Sequence, residues 1–548
     1  MKQQDTDKAS RRPNRTAILV VILCAISLTF ALPYTPKAIE REAQPNSTIH
    51  IKNESLLFDD GSDVFFSLNE ATETVYWTIE RHDNKIVETG NTTRSTILAR
   101  EYLDPGYYTL TLRSGSNAPT TISFGVTGAK PKPDQFYGVQ TLTAHTAGSY
   151  RQDYSRILPM LSDLGFSVRR DSTYWSEYER TKGEYSSSSI DRELAKIDNK
   201  TGTSLLWTAG RQNRLYGNSS FPSTPAEIHG YANYIDAVLL DFPQITHVEI
   251  LNEFNSTSVN TVGCGPSPRC YLDILRTVYP QIKKRHPKVE IIAGATSGVA
   301  TKWSEELLRI GGGEYMDAYS IHPYATTPDS MVTHAKQLRQ EILVATGRPK
   351  PVYFSEFGCS ILPEKGRGGR VADERLQAIC LIYAFNAARE GGVKGLSYYN
   401  AINYGPIEHE YNFGLFYDIE ERSHASAYQP KQSALAFYLM RKKLEHYSYS
   451  HREILLDTDD ARVTSYVYQK KNGDTLQVIW RSDQSIYFDS EKPDESGRSV
   501  RISTNNRAYT YVDSFMNDNL GAYVGRDQIT REVSLEPIYV ESTNTPRS

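Results

Sequence analysis

Cysteine is scarce in this chain, five among 548 residues, and no Cys/His spacing has the pattern of a metal site. Neither a metal nor a cofactor is expected. Past residue 16 no long basic block occurs, and the formal net charge is only -4, so nothing in the sequence recruits nucleic acid. No Gly-rich phosphate loop opens any helical segment, which argues against an open, doubly wound nucleotide-binding sheet. No sequence repeat of fixed period is present. What remains is ordinary: 39% apolar and 23% charged residues exclude wholesale disorder, and the length is too great for one hydrophobic core.

The N-terminal segment is distinctive. Lys8, Arg11, Arg12 and Arg15 precede an apolar run from Ala17 to Leu32. Positive charge followed by a short apolar stretch reads as an export signal, and Thr29-Phe30-Ala31 offers a small-x-small cleavage site. The run is also near the lower limit for spanning a bilayer, roughly 17–25 residues. Residues 1–32 are therefore expected to be a signal peptide or a membrane anchor. In either case the bulk of the chain is exported: periplasmic, secreted, or membrane-anchored with its body outside the cytoplasm. An exported location permits a small disulfide between Cys264 and Cys270, which flank Gly-Pro-Ser-Pro. Cys359 and Cys380 are either a second bridge or two buried thiols. Asn46, Asn53, Asn91, Asn199, Asn218 and Asn255 lie in Asn-x-Ser/Thr triplets, which matter only in a eukaryotic source.

Residues 33–48 are polar and Pro-containing, a linker. From 49 to 128 alternating segments such as Thr74-Val-Tyr-Trp-Thr-Ile and Tyr107-Tyr-Thr-Leu-Thr-Leu are separated by turn signals, which predicts a small β-sandwich. Ala129-Lys-Pro-Lys-Pro-Asp makes a stiff connection. The texture then changes. Over 135–445, eight apolar strand candidates, starting near Phe136, Ser167, Ser204, His247, Glu290, Ala318, Val352 and Gly395, alternate with amphipathic helical stretches. Eight strand–helix units favour a closed (β/α)8 TIM barrel. Strand patterns return over 446–548, a second β-sandwich. The expected fold class is thus α/β, a barrel flanked by two β-sandwich domains.

Barrel enzymes carry their chemistry where strands end. Two strand ends stand out: His247-Val-Glu-Ile-Leu-Asn-Glu253 closes strand four, and Val352-Tyr-Phe-Ser-Glu356 closes strand seven. Each puts a Glu directly after an apolar run, where burial raises its pKa. Hydrolysis of a glycosidic bond needs two such groups, one to protonate the leaving oxygen and one to attack the anomeric carbon or activate water. One strand-end Glu alone equally suits a buried ion pair with Arg. A pair at strands four and seven is a far more specific signal.

Asn-Glu ending strand four and Glu ending strand seven resemble the signature of clan A glycoside hydrolases, over roughly Phe136 to Met440. Further elements match. Arg169 and Asp171 in Ser-Val-Arg-Arg-Asp resemble the strand-two Arg and Asp of the clan. Trp175–Tyr185 is similar to its segment after strand two, Ser320-Ile-His-Pro-Tyr324 to its strand-six His-x-Tyr, and Asn412–Asp418 followed by Gln429-Pro-Lys to its closing segment. The set is most similar to family 39 and related bacterial polysaccharide hydrolases. The resemblance implies retention by double displacement, with Glu356 as nucleophile and Glu253 as acid/base. It implies that Arg169 lies near Glu356 and keeps it ionised, that His322 and Tyr324 line the site, and that Asn252 binds the hydroxyl beside the reacting carbon. The usual Trp-Asn-Glu-Pro is here Leu251-Asn252-Glu253-Phe254, and Tyr398 stands where a strand-eight Trp is typical; these departures bear on the sugar platform. Trp175, Trp207, Tyr398, Asn400 and Asp171 are candidate substrate-binding residues that core packing would equally explain. Glu179 and Glu184 read as surface or structural.

The function expected is hydrolysis of β-glycosidic bonds in a polysaccharide or oligosaccharide. A transglycosylase would use the same residues and differ in its acceptor. A non-catalytic carbohydrate-binding protein would have lost one carboxylate, and both are present.

Overall fold

The computed structural model describes residues 49–547, apart from 70–72, 144–151, 362–369, 372, 405–411, 420, 423, 459–460, 483–492 and 494. The expected export segment and linker, with Asn46, lie outside the described residues. No helix among the described residues is long and apolar enough to cross a membrane.

Eight parallel strands close into a barrel: Tyr137–Gln140, Val168–Thr173, Ser204–Ala209, His247–Ile250, Glu290–Ser297, Ala318–His322, Val352–Phe357 and Gly395–Tyr398. Each pairs with its sequence neighbours, and the eighth pairs with the first. Long helices follow the strands, and their starts are written in the sequence. Thr224-Pro225, Ser267-Pro268 and Thr327-Pro328 each put a capping hydroxyl before a proline at the first helical turn. Gly202, Gly347 and Gly392 end helices in the left-handed conformation.

Inside the barrel, side chains alternate in and out along each strand. Val168, Leu206, Ile292, Ala318 and Tyr353, from five strands, pack into a small inner core. Residues two further along strands two, three and six, Arg170, Thr208 and Ser320, converge on Glu249 of strand four, the next layer up.

The N-terminal sandwich has a five-stranded sheet in the order Leu57–Asp59, Thr120–Thr127, Gly106–Ser114, Val75–Arg81, Ile86–Thr92. A ribbon of Phe65–Ser67 and Thr96–Leu98 accompanies it. Phe58, Phe66 and Phe124 meet edge-to-face in its core. The C-terminal sandwich sets a six-stranded sheet beside the pair Arg498–Ser503 and Gln528–Val533. It docks on the barrel helix Glu374–Gly391, where Trp480 stacks on Tyr383 at 4.4 Å and on Tyr466 at 4.6 Å. The N-terminal sandwich is held by the closing segment: the Ser123 amide donates to Gln429 Oε1 at 3.1 Å. The sandwiches also touch each other, through Arg81 and Asp518 at 2.7 Å. Both disulfide options are realised, Cys264–Cys270 and Cys359–Cys380.

Candidate active site

Strand four ends in an unusual backbone. Leu251 and Glu253 both have left-handed φ, 65° and 50°. Non-glycine residues there cost on the order of 1–3 kcal/mol and persist where surroundings enforce them. The enforcement is visible: the Glu253 amide donates to Ala295 O at 2.8 Å, and the Ala295 amide donates to Ser320 Oγ at 3.0 Å. The kinked strand end turns Glu253 toward Glu356 from strand seven. Both side chains are almost wholly buried.

One atom each from Glu253, His322 and Glu356 lies within 4.8 Å of the other two, so the two carboxylates face each other across a gap of that size. His322 Nδ1 is 3.0 Å from Glu253 Oε1 and 3.7 Å from Glu356 Oε2. Burial lowers the pKa of His322, which favours the neutral ring. With carboxylate oxygens on both sides, its hydrogen belongs on Nδ1, the nitrogen that faces them. Glu253 Oε2 and His322 Nε2 are buried and have no hydrogen-bond partner among the described residues. The three atoms are close enough to hold a cation, but the Arg170 guanidinium already sits on Glu356, and His322 would have to give up its Nδ1 hydrogen.

Glu356 is clamped on both oxygens. Arg170 Nη1 donates to Oε1, and the Tyr324 hydroxyl donates to Oε2 at 3.1 Å. Burial raises the pKa of Glu356, Arg170 pulls it down, and Glu249 pushes it up again; the net direction is upward. Glu253 is also raised, by burial first, with His322 opposing and Glu356 adding. Two carboxylates in one buried pocket cannot both ionise freely.

Arg170, not Arg169, is the arginine at Glu356. The reason is strand alternation. Arg170 shares the inward face with Val168, whereas Arg169 points out and pairs with Asp171 at 2.7 Å and Asp198 at 2.6 Å on the helix Ser189–Thr201. Asp171 is spent there, also accepting from Thr141 and Thr143. Trp207 likewise lies on the outer parity and is buried, donating Nε1 to Thr173 Oγ1 at 3.2 Å and packing edge-on to Tyr234. Trp175 is buried against Tyr234, and its Nε1 donates to Glu179, which is fully buried too. Neither tryptophan presents a face to a sugar. Tyr398 and Asn400 are buried, Tyr398 as part of the main core. Asn252 is half-buried; its Oδ1 accepts from Arg170 Nη2 at 2.7 Å, and its amide hydrogens have no partner among the described residues. Sequence reasoning passes over Arg170, Glu249, Gln140 and the aromatic wall of Tyr399 and Phe413 around Tyr324. Strand parity, counted from Val168, would have selected Arg170.

The fold defines a class: it is shared, over most of the chain, with solved glycoside hydrolases of several families. Among these is a family 39 glycoside hydrolase from the gut symbiont Bacteroides cellulosilyticus WH2, with TM-score 0.72 at 21% identity over 90% of this chain and 100% of that one. A monomeric beta-xylosidase from Caulobacter crescentus CB15 follows at TM-score 0.53 and 15% identity, covering 75% of this chain and 97% of that one. The catalytic domain of GH30 xylanase C from Talaromyces cellulolyticus gives TM-score 0.51 and 12% identity, over 75% and 97%. At such identities the likeness is one of fold. No protein-family model matches the sequence, and no curated protein does.

Proposed function

We propose that this protein is a retaining glycoside hydrolase that cleaves β-glycosidic bonds of a polysaccharide outside the cytoplasm. The observation that carries the reading is the gap of at most 4.8 Å between carboxylate oxygens of Glu253 and Glu356. Retention needs carboxyl groups roughly 5–5.5 Å apart, whereas inversion needs roughly 6.5–9.5 Å to admit water. The fold shared with family 39 and family 30 enzymes supports the same reading.

The roles follow from the environments. Glu356, held by Arg170 and Tyr324, attacks the anomeric carbon as the glycosidic C–O bond breaks. Glu253 accepts from His322 on Oε1, which leaves its proton on Oε2, without a partner among the described residues and available to the departing oxygen. It then takes a proton from the incoming water. The amide hydrogens of Asn252, without a partner among the described residues, serve the hydroxyl beside the reacting carbon. Export is supported by the basic-then-apolar N-terminus and by the two disulfides.

Screening the purified protein against β-linked polysaccharides and aryl glycosides identifies a substrate. On it, Glu356→Gln should lose roughly 10³-fold or more in kcat with an unchanged circular dichroism spectrum. Near-normal turnover in that variant refutes the nucleophile. Glu253→Gln should slow substrates with poor leaving groups most. Equal slowing across leaving groups removes Glu253 from the acid role.

A further inference from the structure

Arg170 is shared. Its Nη1 donates to Glu356, while its Nε donates to Glu249 Oε2 at 2.9 Å and its Nη2 donates to that same oxygen. Glu249 is fully buried on strand four, four residues before Glu253. It is held from three directions: by Arg170, by Thr208 Oγ1 at 3.0 Å on Oε2, and by Ser320 Oγ at 2.7 Å on Oε1. One guanidinium therefore faces two carboxylates, and with both ionised the buried group of three carries one surplus negative charge.

We propose that Glu249 is a positioning residue that sets the charge on the nucleophile's side of the site: it takes half of Arg170, so that Glu356 stays reactive, and it balances Arg170 once Glu356 is esterified. The proposal rests on the double-displacement reading. When Glu356 bonds to the anomeric carbon, the glycosidic C–O pair departs on the leaving oxygen with the proton of Glu253. Glu356 becomes a neutral ester and Glu253 an anion. Without Glu249, Arg170 would then be a buried cation with no counter-charge of its own, a strongly disfavoured state. Before that step, the surplus negative charge faces the oxocarbenium-like transition state and favours it.

The groups facing Glu356 are Arg170 from strand two, Glu249 and Glu253 from strand four, and His322 and Tyr324 from the end of strand six. Those facing Glu249 are Arg170, Thr208, Ser320, Ser355, His322 and the charge of Glu356, with the phenols of Tyr231 and Tyr271 near. Of these, Glu249 acts on Glu356 directly and through Arg170, whereas Arg170, His322 and Glu356 act on Glu253.

Glu249→Gln keeps the shape and removes the charge. Arg170 then turns wholly to Glu356, whose ionisation moves to lower pH. In the pH dependence of kcat/KM, the acid limb should fall by about one pH unit. The basic limb, which reports Glu253, should stay in place, and the plateau should drop roughly tenfold or more. Loosened structure would disturb both limbs together. Glu249→Asp keeps the charge but withdraws it, so its acid limb should fall by less; it decides the sign if the Gln variant does not fold. An acid limb that stays put or rises in a folded variant overturns the proposal. Glu356→Gln run in the same assay separates the failures: if that variant is active, the nucleophile assignment and this inference fall together; if it is dead while the Glu249→Gln limb stays put, only this inference falls.

Discussion

Glu253 combines two unfavourable conditions, a left-handed backbone and a carboxyl buried beside a second carboxyl. Its folded pKa is raised above its unfolded value, so the native state binds the proton more tightly. The stability attached to that proton is intact below the unfolded pKa and is lost as pH rises through the folded one. Each pH unit separating those two pKa values corresponds to about 1.4 kcal/mol. Glu253→Gln cannot ionise. It should raise the melting temperature by about 1–3 °C at pH 7 and leave it unchanged at pH 4; equal melting temperatures at pH 7 contradict the argument. The two glutamates are legible in the sequence because a carboxylate straight after an apolar run is conspicuous. The arginine is not. Ser167-Val-Arg-Arg-Asp171 offers two adjacent cations, and only the in–out parity of a strand whose first inward residue is Val168 tells which enters the barrel. Trp207 is a false candidate for the same reason: Leu206 and Thr208 face in, so it faces out, onto the helix Pro225–Asp241.

At the scale of elements the sequence is more explicit. Apolar strand runs, Ser/Thr-Pro helix starts and glycine stops are local signals, and local signals survive in a single chain. The helix Glu374–Gly391 ends at Gly392, where φ is 66° and an added Cβ would come within 2.3 Å of Arg339 Nη1. Gly392→Ala should cost about 1 kcal/mol or more, seen as a lower urea midpoint with unchanged m; an unchanged midpoint means that this stop does not need glycine. Long-range pairings stay hidden. Nothing in Trp175-Ser-Glu-Tyr-Glu179 says that the indole will donate to Glu179 and both will be buried. Both outcomes depend on helices contributed later in the chain.

For the whole molecule, the three domains are more tightly joined than linker-like segments suggest. The aromatic stack of Tyr383, Trp480 and Tyr466 runs across the boundary between barrel and C-terminal sandwich, and Tyr383 also donates to Leu535 O at 2.5 Å. Barrel and sandwich should therefore melt together. Trp480→Ala, removing a fully buried indole at the joint, should cost about 3–5 kcal/mol and lower a single calorimetric transition as a unit. A separate early transition, with the barrel's own unmoved, would show the domains to be thermodynamically independent.

The two cystine bridges work at a different range. They span 6 and 21 residues, each inside one strand–loop–helix repeat, and neither joins distant parts of the chain. Crosslinks over such short spans remove about 2–3 kcal/mol of freedom each from an unfolded polypeptide, less than a bridge between distant parts of the chain would. What they do is local carpentry. Cys359 follows Glu356 by three positions and is fastened to the next helix; Cys264 lies in the rim after Glu253 and is fastened likewise. Among the described residues, the disulfide crosslinks are thus concentrated at the two edges that carry the facing acids, and the domains are left to hold together by non-covalent contacts.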